Sequence, residues 1–232
     1  MNLLAQLTLL SAIDFAAVAF VLSSWWLIGW RIEHPSLGRP SVSVLMAERR
    51  RDWMKVFVTR DPRIFDSQIL GSLRQGTAFF ASTSILAIGG VLAMAGNPET
   101  LSGVAKQVTE VETPNFIWQI KLGLVVLLLA DAFLKFVWAN RVFGYCAVLM
   151  ASVPNDPSDP IALPRAAQAG ELNIRAAMNF NRGLRSMYFA LGSLAWLIGG
   201  TALIIATFIV LWTVWSREFA STPRTIILKD VP

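Results

Sequence analysis

Histidine and cysteine are almost missing from this sequence, with one of each in 232 residues. The single histidine, His34, sits in a loop beside Pro35. Two-histidine haem ligation within one chain is therefore excluded, and with it a four-helix cytochrome b type protein. The lone Cys146 excludes an intrachain disulfide and leaves the redox compartment unreadable. It lies in an apolar run, where a free cysteine behaves as a small buried hydrophobe. Charge is scarce too: 15% of residues are Asp, Glu, Lys or Arg, against roughly 25% in soluble domains. No His, Cys and carboxylate cluster has zinc spacing. No Gly-rich phosphate loop occurs, since Gly89-Gly90 falls inside an apolar run. Ser82, Thr83 and Ser84 have no nearby base, and no nucleophile, base and orienting group stand out as a set. The expectation is a protein that is not an enzyme and holds no metal or cofactor.

Long apolar sequence is what the chain has in abundance. It is 55% hydrophobic with nine Trp and a mean hydropathy of +0.55. Four stretches, Leu9 to Trp30, Gly76 to Ala95, Ile117 to Val137 and Leu184 to Trp215, are each long enough to cross a bilayer. About 20 apolar residues at ~1.5 Å rise span a ~30 Å hydrocarbon core. A soluble helix keeps a polar face, and Ser84 to Ala95 shows none. The expected fold is an all-α integral membrane protein with four transmembrane helices, forming one membrane domain over residues 1–232. Met1 to Ile13 has no basic n-region, and no small-residue cleavage site follows, so the first run reads as an uncleaved helix.

Lys and Arg are unevenly placed. Arg31, Arg39, Arg49, Arg50, Arg51, Lys55, Arg60, Arg63 and Arg74 lie between the first two spans, and Arg141, Arg165, Arg175, Arg182 and Arg185 follow the third. Between the second and third spans Lys106 is set against Glu99, Glu110 and Glu112. The positive-inside rule puts segments 31–75 and 141–182 in the cytoplasm. Both termini are then expected outside, in a bacterial inner membrane. The net charge of +5 reflects this topology and gives no reason to expect nucleic acid as a partner. Arg49-Arg50-Arg51 reads instead as a contact for anionic lipid head groups, each basic residue contributing ~1 kcal/mol near such a surface.

Turn signals predict helices that outrun the bilayer. Asp61-Pro62 and Thr113-Pro114 read as helix starts, and Gly96-Asn97-Pro98 and Pro154 to Pro160 as stops. The second helix is then ~50 Å long and the third ~60 Å. Pro164 opens a fourth helical region running to about Trp215, with Gly170 or Asn179 to Gly183 as candidate breaks. Helices two to four therefore extend into a cytoplasmic helical stalk. Phe143, Tyr145, Val148, Leu149 and Met150 in that stalk need cover from Ser43 to Val58, from neighbouring stalk helices or from another subunit. Ser43 to Val58 fits either an amphipathic surface helix or a helix packed on the stalk.

Ionisable groups within spans are costly, at least ~2.5 kcal/mol at mid-helix. Asp14, Lys121, Asp131 and Lys135 are the candidates. The last three share a sector of about 80° on the third helix, and Asp131 and Lys135 are i and i+4. A structural ion pair and a polar ion path both fit. Asp14 is available to Lys121 from a neighbouring helix. On the second helix Gln68, Ser72, Gln75, Phe79, Ser82, Leu86 and Gly89 recur at helical spacing. This stripe suits a pore wall with Gln75 and Ser82 on the path and Phe79 and Leu86 as a gate, or close helix packing. Gly192, Gly199 and Gly200 read as packing residues. Arg182 and Arg185 fit lipid phosphate, an anion or a stalk cap.

Three stretches carry a likeness to a known family. They are Arg63-Ile-Phe-Asp-Ser-Gln-Ile-Leu-Gly-Ser-Leu-Arg-Gln-Gly-Thr-Ala-Phe-Phe-Ala-Ser-Thr-Ser84, Leu134-Lys-Phe-Val-Trp-Ala-Asn-Arg-Val-Phe-Gly-Tyr-Cys146 and Phe180-Asn-Arg-Gly-Leu-Arg-Ser-Met-Tyr-Phe-Ala-Leu191. Together they resemble the membrane family known as domain of unknown function 599. That resemblance implies a four-span protein and assigns no activity and no site residues. Two functions stay open: a homo-oligomeric ion channel or transporter, and a non-catalytic scaffold or accessory protein of a membrane complex.

Overall fold

A computed structural model describes residues 10–35, 38–97 and 114–229. Leu9, Lys106, Glu99, Glu110 and Glu112, used above to bound a span and a loop, lie outside them. The described residues form helices and no strand. In chain order these are α1 (Ala12–Glu33), α2 (Val42–Thr59), α3 (Ile64–Ala95), α4 (Asn115–Ala151), α5 (Ala162–Ser193), a short 3-10 helix (Leu194–Leu197), α6 (Gly200–Phe219) and α7 (Thr222–Leu228). Four stretches are long and apolar enough to cross a membrane: α1, α3, α4, and Gly200–Leu228, which joins α6 and α7.

Local chemistry sets the helix ends. Ser11 and Asp14 form a capping box at α1: the Asp14 N–H donates to Ser11 Oγ at 3.2 Å, and the Ser11 N–H donates to Asp14 Oδ2 at 3.0 Å. Ser41 caps α2, accepting from the Val44 N–H while its hydroxyl donates to the Ile32 carbonyl at 2.8 Å. Helix α3 starts at Ile64, two residues beyond the expected proline, and the Asp61–Pro62 peptide is cis. Asp66 stands in its first turn, where a carboxylate meets the positive end of the helix dipole.

The described chain divides into two compact units, each discontinuous in sequence. The first holds Met1–Arg31, Thr83–Ala132 and Leu184–Ser216; the second holds Ile32–Ser82, Phe133–Gly183 and Arg217–Pro232. Helices α1, α3, α4, α5 and α6 each give residues to both. Sixteen of the twenty Lys and Arg residues fall in the second unit, against ten of the fifteen Asp and Glu, so the positive excess of the chain resides there.

In the second unit α2 packs on α4 and α5. Met54, Phe57 and Val58 meet Phe143, Cys146 and Met150, closed by Ala162, Ala166, Ala169 and Ala176. The small face of α5 lets the other helices approach: a Cβ on Gly170 would sit 3.0 Å from Met54 Cγ. Phe143 and Met150 thus find their cover within the chain, whereas Val148 remains 70% exposed and Tyr145 is exposed with it. Segment 43–58 lies within a helix packed on α4 and α5.

The apolar run 184–215 does not form one span. Helix α5 ends at Ser193, the chain turns through the 3-10 helix, and α6 starts at Gly200. Neither Gly170 nor 179–183 interrupts α5. The turn is fixed in the first unit by Asp14, which accepts from Trp196 Nε1 at 2.7 Å, and by Gly200, whose absent Cβ would lie 3.1 Å from Asp14 Oδ1. Helices α5 and α6 then pack closely, with Val210 Cγ2 only 2.9 Å from the Cβ position of Gly192.

The C-terminal segment finds its partners in the second unit. Glu218 accepts from the Ser43 N–H at 3.0 Å and the Ser43 hydroxyl at 2.9 Å. Arg39 donates to the Phe219 carbonyl, and Arg224 to the Pro40 carbonyl. Residues 218–224 therefore pack on residues 39–43 within the second unit.

Candidate functional site

The stripe on α3 is the most ordered feature the chain leaves uncovered. In the second unit Gln68, Ser72, Gln75, Phe79 and Ser82 are all exposed; in the first, Leu86 and Gly89 continue the row and are exposed as well. Phe79 is 64% and Leu86 75% accessible. The steps alternate between four and three residues, the repeat that keeps a seam on one side of a supercoiled helix. The opposite face of α3 is buried through Leu70, Thr77, Ala81 and Ser84. Within one chain Phe79 and Leu86 thus look outward, and a gate built from them needs further copies around it.

Asp14 and Asp131 each accept hydrogen bonds from neutral side chains. Asp14 accepts from the Ser11 hydroxyl at 2.7 Å as well as from Trp196, and its charge is felt at Lys121. It stands in the first turn of α1. The Lys121 ammonium lies 5.2 Å from the Trp118 ring centroid, a cation–π distance. Asp131 accepts from the buried Ser186 hydroxyl at 2.5 Å, and Ser186 accepts from Trp25 Nε1 at 3.1 Å. This link ties α4, α5 and α1 in the first unit. Lys135 lies one turn beyond Asp131 on α4, in the part that belongs to the second unit.

The arginines expected to face lipid or anions are mostly engaged inside the chain. Arg49 pairs with Asp52 at 3.2 Å, and Arg51 with Glu48 at 2.5 Å and Glu171 at 2.7 Å. The bond to Glu171 holds the Arg51 guanidinium above its ordinary range. Arg50 donates to the buried Asn173, and burial pulls its guanidinium below that range. Arg182 grips both oxygens of Glu33, at 2.8 and 2.5 Å. Arg185 is only 7% exposed and lies against Gly29, whose Cβ position is 3.7 Å from Nε and Nη2. Arg185 is thus buried rather than presented at the surface of the chain. Among the described residues no three His, Cys, Asp or Glu side chains gather as metal ligands.

A model of the family described as "Protein of unknown function, DUF599" matches residues 16–223. The chain belongs to the DUF599 family. The three stretches that carried the resemblance fall inside the match, on α3, α4 and α5. No similar curated protein and no similar solved structure is found. For this DUF599 chain, then, function has to be argued from geometry. Sequence reasoning missed the Asp14–Trp196 clip, although Ser11-Ala-Ile-Asp14 is a capping-box pattern that marks the true start of α1. It also missed the internal partners of the arginines.

Proposed function

We propose that this protein is a homo-oligomeric, non-catalytic membrane protein in which α3 of each copy faces a common axis and lines a polar ion path. The carrying observation is the exposure of the whole α3 stripe. A helix face turned to lipid is apolar, whereas this one presents Gln68, Ser72, Gln75 and Ser82. Closed cyclic symmetry would bring the equivalent stripes together. Phe79 and Leu86 would then form the constriction.

The membrane topology follows the same logic. With the basic second-unit segments in the cytoplasm, α1 enters from outside, α3 leaves and α4 returns. The Ser43–Glu218 contact supports α6 ending inside, and in this reading the apolar end of α5 from Leu184, shorter than the four long apolar stretches, carries the chain out again. The reading has five passes, an outer N-terminus and a cytoplasmic C-terminus. Trp30 and Trp212 are exposed near Arg31 and Arg217, as expected for aromatic side chains at a membrane interface.

Planar-bilayer recording tests the path. Phe79→Ser removes the larger gate side chain and is expected to raise unitary conductance severalfold over the unaltered protein. A verified oligomer with no conductance in either form would remove the path and leave the scaffold reading. A separate observation favours that second reading: an apolar groove of about 640 Å³ in the second unit, lined by Met54, Leu149, Leu163, Ala166 and Leu172 and rimmed by Arg51, Lys55 and Glu171. Such a groove suits a partner's apolar helix face.

A further inference from the structure

A second cavity in the second unit, of about 310 Å³, opens where α3 meets α4. Its floor is apolar, made by Phe57, Leu70 and Met150, and Arg63 and Arg74 stand in its wall with Ser67. No carboxylate lines it. Arg63 donates to the Val153 and Pro154 carbonyls, both at 2.7 Å, and lies 4.5 Å above the Phe57 ring centroid. Those partners orient the guanidinium and leave its charge uncompensated. Arg74 is exposed, and its side chain has no hydrogen-bond or ion-pair partner among the described residues. The tandem arginines on α2 are engaged within the protein; these two cations are not neutralised.

Position says what would neutralise them. Only Gln75 separates Arg74 from the apolar run Gly76 to Ala95, so it stands where a bilayer's phosphates begin. Trp138 and Arg141 on the neighbouring helix are also exposed, a pairing typical of the interface. On Arg74's side of α3 the exposed face continues through Ala78 and Ile85, along which an acyl chain can lie. At Gly71 an added Cβ would meet nothing within 4 Å, so the cavity is open at the level of its floor. We infer that this cavity binds the head group of an anionic phospholipid, with Arg74 on the phosphate and Arg63 supplying field from deeper in the pocket. Neither the ion path nor the scaffold is needed for this site.

Native mass spectrometry of the full-length protein, titrated with phosphatidylglycerol and phosphatidylcholine of equal chain length, measures the preference directly. Arg74→Gln should reduce the preference for phosphatidylglycerol about fivefold, the factor for losing one interfacial cation. Gly71→Leu fills the cavity without changing charge and should also reduce it. Arg175→Gln, an exposed charge elsewhere on the second unit, should leave it unchanged, and soluble glycerol phosphate should not displace the lipid. An equal loss in Arg175→Gln, or an unaltered preference in Gly71→Leu, would mean diffuse surface attraction and overturn the site. Displacement by glycerol phosphate would overturn the lipid as occupant.

Discussion

Gly183 and Phe136 show how little room the second unit leaves. A Cβ on Gly183 would fall 2.7 Å from Phe136 Cε1 and 2.9 Å from two more ring atoms. The ring cannot step aside, because Phe80 and Phe180 pack on it at centroid distances of 5.4 and 5.5 Å. Gly183→Ala should therefore cost ~1–3 kcal/mol as overpacking. In mild detergent its thermal unfolding, followed by Trp fluorescence, should begin well below that of the unaltered chain. Gly89→Ala, with nothing within 4 Å of the new carbon, should match the unaltered chain. Equal unfolding of both variants would show that the aromatic cluster is looser than its distances say. At this scale the sequence was partly legible. The stripe on α3 could be read from its spacing, but the arginine partners could not. Glu33 is 149 residues from Arg182 and Glu171 is 120 from Arg51, and no local pattern reports such pairs.

Among the elements, the four long apolar helices could be read because length and hydropathy alone determine whether a segment can span a bilayer. The break at 194–199 escaped. It contains no proline, and Gly199-Gly200 in an apolar run looks like any packing pair. What ends α5 there is tertiary: the Trp196 indole on Asp14 and the close approach of Gly200 to the same residue. Hydropathy also cannot separate a lipid-facing side chain from a core one, so the burial of Phe143 and the exposure of Val148 were equally open. The consequence of the missed turn is topological. Cysteine labelling with an impermeant reagent should reach Asn97→Cys from outside intact cells and should reach neither Arg49→Cys nor Lys229→Cys. Native Cys146 is buried and should stay silent. Labelling of Lys229→Cys from outside would restore the outer C-terminus and contradict the Ser43–Glu218 contact.

For the whole molecule, the account turns on what covers α3. A lone copy would leave Gln75 and Ser82 facing hydrocarbon or its border, where polar side chains look for hydrogen-bond partners. Equivalent stripes around an axis would supply those partners or line a wet path between them. Both outcomes require the same face to meet itself. Disulfide cross-linking in native membranes tests this most directly, with Cys146 replaced by Ala and single cysteines placed in turn from residue 68 to residue 89. Intersubunit cross-links should peak at Gln68, Ser72, Gln75, Phe79, Ser82, Leu86 and Gly89 and fall away at Leu70, Thr77, Ala81 and Ser84. A flat profile without cross-links, or maxima displaced to the buried set, would contradict an oligomer built around α3.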